Sequence, residues 1–194
     1  MTTLLNQSLR LTAVFTVLTG LLYPLAITGV AQLAFHRQAN GSQVVRDGRT
    51  VGSELLAQAF TNAAYFWPRP SACEFGTVPA GASNLGPTSR ALQSNVLARA
   101  AAFRAAHSLA PDASVPADLL FTSGSGLDPH ISPAAAARQA ARVAAARHLP
   151  LAHVQALLVQ HTEPPQFGLL GEPRVNVLLL NLALDGRTPE GWAP

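Results

Sequence analysis

Lysine is absent from this chain. All 13 basic side chains are arginine, set against 10 acidic ones, and charged residues make up only 12% of the sequence. That is about half the share usual in a soluble domain. Without lysine there can be no G-x-x-x-x-G-K-[ST] phosphate loop. The arginines run singly from Arg10 to Arg187 and the net charge is only +3. A phosphate backbone requires a clustered basic face, so nucleic acid is not expected as a partner. Cysteine is nearly as scarce. Cys73 stands alone, which rules out an internal disulfide or a multi-cysteine metal site and leaves an incidental thiol. His148, His153 and His161 lack the i, i+4 spacing and carboxylate company of a zinc site, so no metal is expected.

Apolar residues, in contrast, reach 48%, and part of that excess is local. Residues 11–35, "LTAVFTVLTGLLYPLAITGVAQLAF", carry no charge and end against His36 and Arg37. As a helix they would span roughly 37 Å, more than the ~30 Å hydrocarbon core of a bilayer. A signal peptide is the competing interpretation, but its apolar region runs to only ~7–15 residues. The expected organisation is a short tail over 1–10, a transmembrane helix over 11–35 and one domain over 36–194. Arginine counts on the two sides of the span do not orient it. Thr12, Thr16, Thr19 and Tyr23 recur at helical spacing along one edge. A tyrosine hydroxyl at mid-bilayer needs a protein partner. Pro24 predicts a kink, and Gly20 and Gly29 permit close helix approach. Thr16, Thr19, Gly20, Tyr23 and Pro24 are therefore candidate contacts with other membrane helices.

The expected fold beyond the span is a mixed α/β domain. Asp47-Gly48, flanked by Val44-Val45 and Thr50-Val51, predicts a two-residue hairpin turn. A long segment rich in proline, glycine and aromatics follows and is expected to be an ordered loop. Its Tyr65, Phe66, Trp67 and Arg69 are candidates for either a minor core or a docking surface. A helix is predicted over 89–107, capped by Thr88 or Ser89, then a short strand in "ADLLFTS". Another helix is predicted from Pro133 to the residues before Pro150, and a further one over 151–161. The second of these holds no arginine, unlike a DNA-reading helix. For "RVNVLLLNLALD" periodicity does not separate strand from helix; Pro173 and the Asn176/Asn181 spacing favour helix. A polar tail is expected to be loose.

Residues 122–136, "TSGSGLDPHISPAAA", raise the sharpest question. Ser123, Ser125, Asp128 and His130 are the types that make a hydrolytic triad, and a membrane-anchored serine hydrolase using Ser125 and His130 is the alternative function. Residues so close in sequence rarely converge, however, and no G-x-S-x-G elbow is present. As a helix entrance the stretch is explained almost residue by residue. Ser132 caps, Pro133 takes the first helical position, and Gly124 and Gly126 shape the turn. Asp128 then favours the positive end of the helix.

Taken in order, "LTGLLYPLAITGVAQ", "QANGS", "RDGRTVGSELL", "YFWPRPSA", "SNLGPTS", "VPADLLFTSGSGLDPHISPAAA" and "GEPRVNVLLLNLAL" resemble the C subunit of the Kdp potassium-transporting P-type ATPase of bacteria and archaea. Departures such as Pro68, where the family usually has glycine, fall in loops. The resemblance implies a non-catalytic accessory subunit of a high-affinity ATP-driven potassium uptake pump. Its partners would be a channel-like potassium-binding subunit and an ATP-hydrolysing subunit, which handle potassium and ATP, with no cofactor of its own. It also implies a single-pass protein of the bacterial inner membrane with a short cytoplasmic N-tail and the domain outside. The family is described as a catalytic chaperone that raises ATP affinity. An outside domain would not touch cytosolic ATP, so that effect would be a coupling free energy carried through the partners.

Overall fold

The computed structural model describes residues 1–186. The expected polar tail lies almost wholly outside the described residues. The chain forms two units, residues 1–43 and 44–194.

The first unit is a helical rod over Thr2–Ala34, long and apolar enough to cross a membrane. It comprises α1 (Thr2–Val17), a π-helical turn (Leu18–Leu22) and α2 (Tyr23–Ala34). Pro24 can donate no backbone hydrogen bond, and the widened turn lies in the segment just before it, a local adjustment of the kind proline provokes. None of the residues of these helices is buried. A one-turn helix, α3 (His36–Ala39), follows.

The second unit begins as the predicted hairpin, β1 (Gln43–Arg46) and β2 (Arg49–Ser53). Asp47 and Gly48 both take positive φ, 49° and 71°, as a tight primed turn demands. After a long ordered loop come α4 (Arg90–Ala106), β3 (His130–Ile131), α5 (Pro133–Arg147), α6 (Leu151–Gln160), β4 (Thr162–Glu163), β5 (Arg174–Asn176) and α7 (Val177–Leu184). A three-stranded antiparallel sheet has the order β3-β5-β4, with Val175 opposite both Ile131 and Thr162.

The core is arranged around α7. Val177, Leu178, Leu179, Leu180, Asn181, Leu182 and Leu184 are all buried, and a helix apolar on every side belongs at a centre. One side joins a cluster with Val154 and Leu158 of α6 and the buried residues of α5, mostly alanines (Ala135, Ala136, Ala140, Ala144) with Val143. The other meets the hairpin through Val44 and Val51. Each fully buried Leu or Val contributes roughly 1.5–3 kcal/mol of transfer free energy. The mixed α/β expectation for the domain matches this architecture.

One expectation needs correction, and another, the helix favoured within 174–185, holds over Val177–Leu184. Residues of "ADLLFTS" form a single 3-10 turn, Ala117–Leu119, not a strand. Leu119, Leu120 and Phe121 donate locally to Pro116 and Ala117 carbonyls, leaving no ladder to pair, while Leu119 drops into the core. The 174–185 segment divides, a three-residue strand turning straight into α7. Asn176 makes the switch, its side-chain oxygen accepting from Leu179 N at 3.2 Å.

Candidate functional site

The triad-like residues are placed by the connection from the 3-10 turn to α5. Ser132 caps α5 as expected, its hydroxyl accepting from Ala135 N at 3.0 Å, with Pro133 in the first turn. The carboxylate at that entrance is Asp118, not Asp128: Asp118 accepts from Ser132 N at 2.7 Å. Asp128 instead ties the connection to the aromatic loop. Its Oδ2 accepts from Arg69 Nη1 at 2.8 Å, and its Oδ1 from His130 N at 3.0 Å with His130 Nδ1 3.4 Å away. Burial pushes the Asp128 carboxyl up, but hydrogen bonds from His130 and then Arg69 outweigh it and hold the group at about 2.

The serines are turned elsewhere. Ser125 Oγ accepts from Leu127 N at 3.1 Å, and Ser123 Oγ from Asp128 N at 3.5 Å. His130 is thus oriented by an acid, while both serine oxygens hold backbone. This is loop geometry of the kind that Ser and Asp side chains build locally. Gly126 adopts φ +73°, and an added Cβ would lie 2.5 Å from Cys73 Sγ and 2.8 Å from Gly81 O. Only glycine fits between these segments. Gly124, by contrast, has open space around it.

The aromatic loop enters the fold through Phe66, which is 0% exposed. Of the four loop residues expected as candidate contacts, Phe66 is therefore core and offers no surface to a partner. Two buried side-chain amides clasp the backbone around it. Asn181 Oδ1 accepts from Phe66 N at 2.8 Å, and its Nδ2 donates to Phe66 O at 3.0 Å. Gln139 Oε1 accepts from Trp67 N at 2.8 Å, and its Nε2 donates to Trp67 O at 3.1 Å. The loop satisfies its buried peptide groups as if two strands flanked it. Tyr65 and Trp67 stay half-buried under arginines of α5. Arg142 lies 4.1 Å over the Trp67 ring and Arg147 4.7 Å over Tyr65, both within cation–π range. Arg147 also bonds Asp185 at 2.8 Å. Arg142 Nη1 donates to Ala63 O, its Nη2 to Tyr65 O, and burial lowers its pKa to about 10. His107 must carry its proton on Nδ1, which donates to Phe103 O at 2.8 Å, because Nε2 accepts from Arg142 Nε at 2.9 Å.

A cleft of about 1100 Å³ lies beside Asp128, lined by Arg69, Asp118, His130, Glu163, Arg174 and the 164–173 turn. Arg69 Nε is buried there without a hydrogen-bond partner among the described residues. No group of three or more His, Cys, Asp or Glu side chains suited to a metal occurs among the described residues.

On the rod, Thr16, Thr19, Gly20, Tyr23 and Pro24 fall around the π turn. Thr19 Oγ1 donates to Phe15 O at 2.7 Å, back onto its own helix. Tyr23 is 65% exposed, and an alanine methyl at Gly20 would approach nothing nearer than 4.0 Å.

Gln139, Asp118, Arg142 and Arg147 were not singled out from the sequence, and Asn181 was noted only for its spacing from Asn176. The signal for Asn181 was present, a lone amide within the otherwise apolar run "VLLLNLAL", whereas Gln139 stands between Arg138 and Arg142 in "AAAARQAARV".

A family model described as KdpC: K+-transporting ATPase, c chain matches residues 5–186. The chain is 56% identical over 187 residues to the potassium-transporting ATPase KdpC subunit of Rhodospirillum rubrum, covering 95% of this chain and 96% of the relative. It is 54% identical over 192 residues to that of Polaromonas naphthalenivorans, covering 97% of each. With that of Sorangium cellulosum the identity is 56% over 188 residues, 94% of this chain and 97% of the relative.

Proposed function

The chain belongs to the family of the K+-transporting ATPase c chain, and from that premise we propose that it is an accessory membrane subunit of a potassium-transporting ATPase. In this proposal it assembles and stabilises a complex of a channel-like potassium-binding subunit and an ATP-hydrolysing subunit. It sits in the bacterial inner membrane with a short cytoplasmic N-tail and the domain outside. ATP and potassium are handled by the complex, and this chain raises ATP affinity as a catalytic chaperone through coupling with its partners.

One observation carries the accessory role. The reactive-looking residues of the 122–136 stretch are all engaged in holding loops together, with Asp128 between Arg69 and His130 and both serine oxygens on backbone N–H groups. The rod supports the assembly role. Thr19 satisfies itself on Phe15, which concentrates the need for a partner on Tyr23. Its phenol, exposed to hydrocarbon, requires an acceptor on a neighbouring helix. Thr16, Gly20 and Pro24 shape that contact, and Tyr65, Trp67 and Arg69 remain candidate contacts on the domain.

The test is potassium-stimulated ATP hydrolysis by the complex with and without this chain. Its removal is expected to raise the apparent KM for ATP with a smaller change in kcat. An unchanged KM would refute the affinity role.

A further inference from the structure

The connection between β4 and β5 is not explained by the fold. Residues 164–171, "PPQFGLLG", carry no charge and present Phe167, Leu169 and Leu170 at 88%, 83% and 58% exposure. Three large apolar side chains within four residues form a patch, whereas isolated exposed ones are ordinary. Nor is the segment loose. Gln166 and Leu170 exchange backbone hydrogen bonds at 2.8 and 2.9 Å, and Gly168 N donates to Pro165 O at 2.9 Å. Phe167 is held at φ +56°, in a left-handed conformation unfavourable for a residue with a side chain. The turn spends conformational strain to hold an apolar tip outward, already ordered for contact.

Charge around the tip narrows what it meets. Phe167 and Leu170 share the cleft wall with Asp118, Asp128, Glu163 and Glu172, against Arg69 and Arg174. The formal net charge there is −2, although the whole chain carries +3. An anionic bilayer surface attracts basic segments and repels an acid-edged one. A second copy docking symmetrically would bring the same negative rim against itself. Apolar centres within polar rims are the ordinary anatomy of protein interfaces.

The structure assigns the 164–171 turn as a docking element that inserts Phe167 and Leu169 into an apolar hollow edged by arginine or lysine on a larger subunit of the same ATPase. This rests on the accessory-subunit reading above. Nothing in it depends on the transmembrane contact of Tyr23.

The test co-expresses the full chain with the larger subunits of its complex. A photo-crosslinking residue at Leu169 should join the chain to a larger subunit, with the cross-linked peptide identified by mass. Phe167→Ser with Leu169→Ser should lower the larger subunit retained per mole of chain at least about tenfold, as expected for loss of a hot spot. Val159→Ser, at a residue 72% exposed on α6, should leave retention unchanged. Cross-links only to lipid or to a second copy would overturn the assignment. So would undiminished retention of the double variant while wild type co-purifies. If wild type itself fails to co-purify, the accessory reading falls and this assignment falls with it.

Discussion

The rod and the lobe put their apolar side chains to opposite uses. In the lobe, α7 buries nearly every side chain, and even its asparagine is hydrogen-bonded to the Phe66 backbone. In the rod no residue of α1, the π turn or α2 is buried, and large apolar residues such as Phe15 and Leu21 are more than half exposed. A backbone in a helix satisfies its own hydrogen bonds, so hydrocarbon can accept the rod's surface. A phenol it cannot accept as readily. The contrast teaches that the amide inside α7 is paired within the lobe, whereas the rod holds its Tyr23 phenol outward, 65% exposed.

The comparison is sharpened most by Asn181→Ala. It removes both clasping bonds and leaves the Phe66 N–H and C=O buried without partners, so thermal unfolding of the lobe should show a loss of about 3–5 kcal/mol. A smaller cost follows from pH. The Asp128 carboxyl is held at about 2 against an ordinary 3.8, so its folded form is depressed. That contribution is fully present above pH 4 and is lost as pH falls through about 2. Its size is on the order of 1–2 kcal/mol once partial exposure is allowed for. Acid titration of stability should show this slope, and Asp128→Asn should abolish it; an identical slope in the variant would deny the carboxylate its role. Smallest of all, Leu21→Ala on the rod should leave the lobe's melting within about 0.5 kcal/mol, since Leu21 is 54% exposed. A large drop would break the division between the two units.

Local chemistry was the legible part. Asp47-Gly48 announced its turn, Ser132-Pro133 its helix start, and the uncharged run its rod, because each depends on neighbours in sequence. The strand expected in "ADLLFTS" failed because strand formation needs a distant partner, and the sheet is completed by β3, β5 and β4. Asp118 was missed as the entrance carboxylate because it lies 14 residues from the Ser132 amide that it accepts from. Asn181 was visible as an isolated amide and Gln139 was not, and their targets, 115 and 72 residues away, exist only once the aromatic loop is folded back. Phe66 was ambiguous for the same reason.

The most direct test of the rod's need for a neighbour is recovery of the larger ATPase subunits with chains carrying Gly20→Leu and Tyr23→Leu. The account predicts a roughly tenfold loss of co-purified subunits, with the lobe melting as in wild type. Undiminished recovery would contradict it.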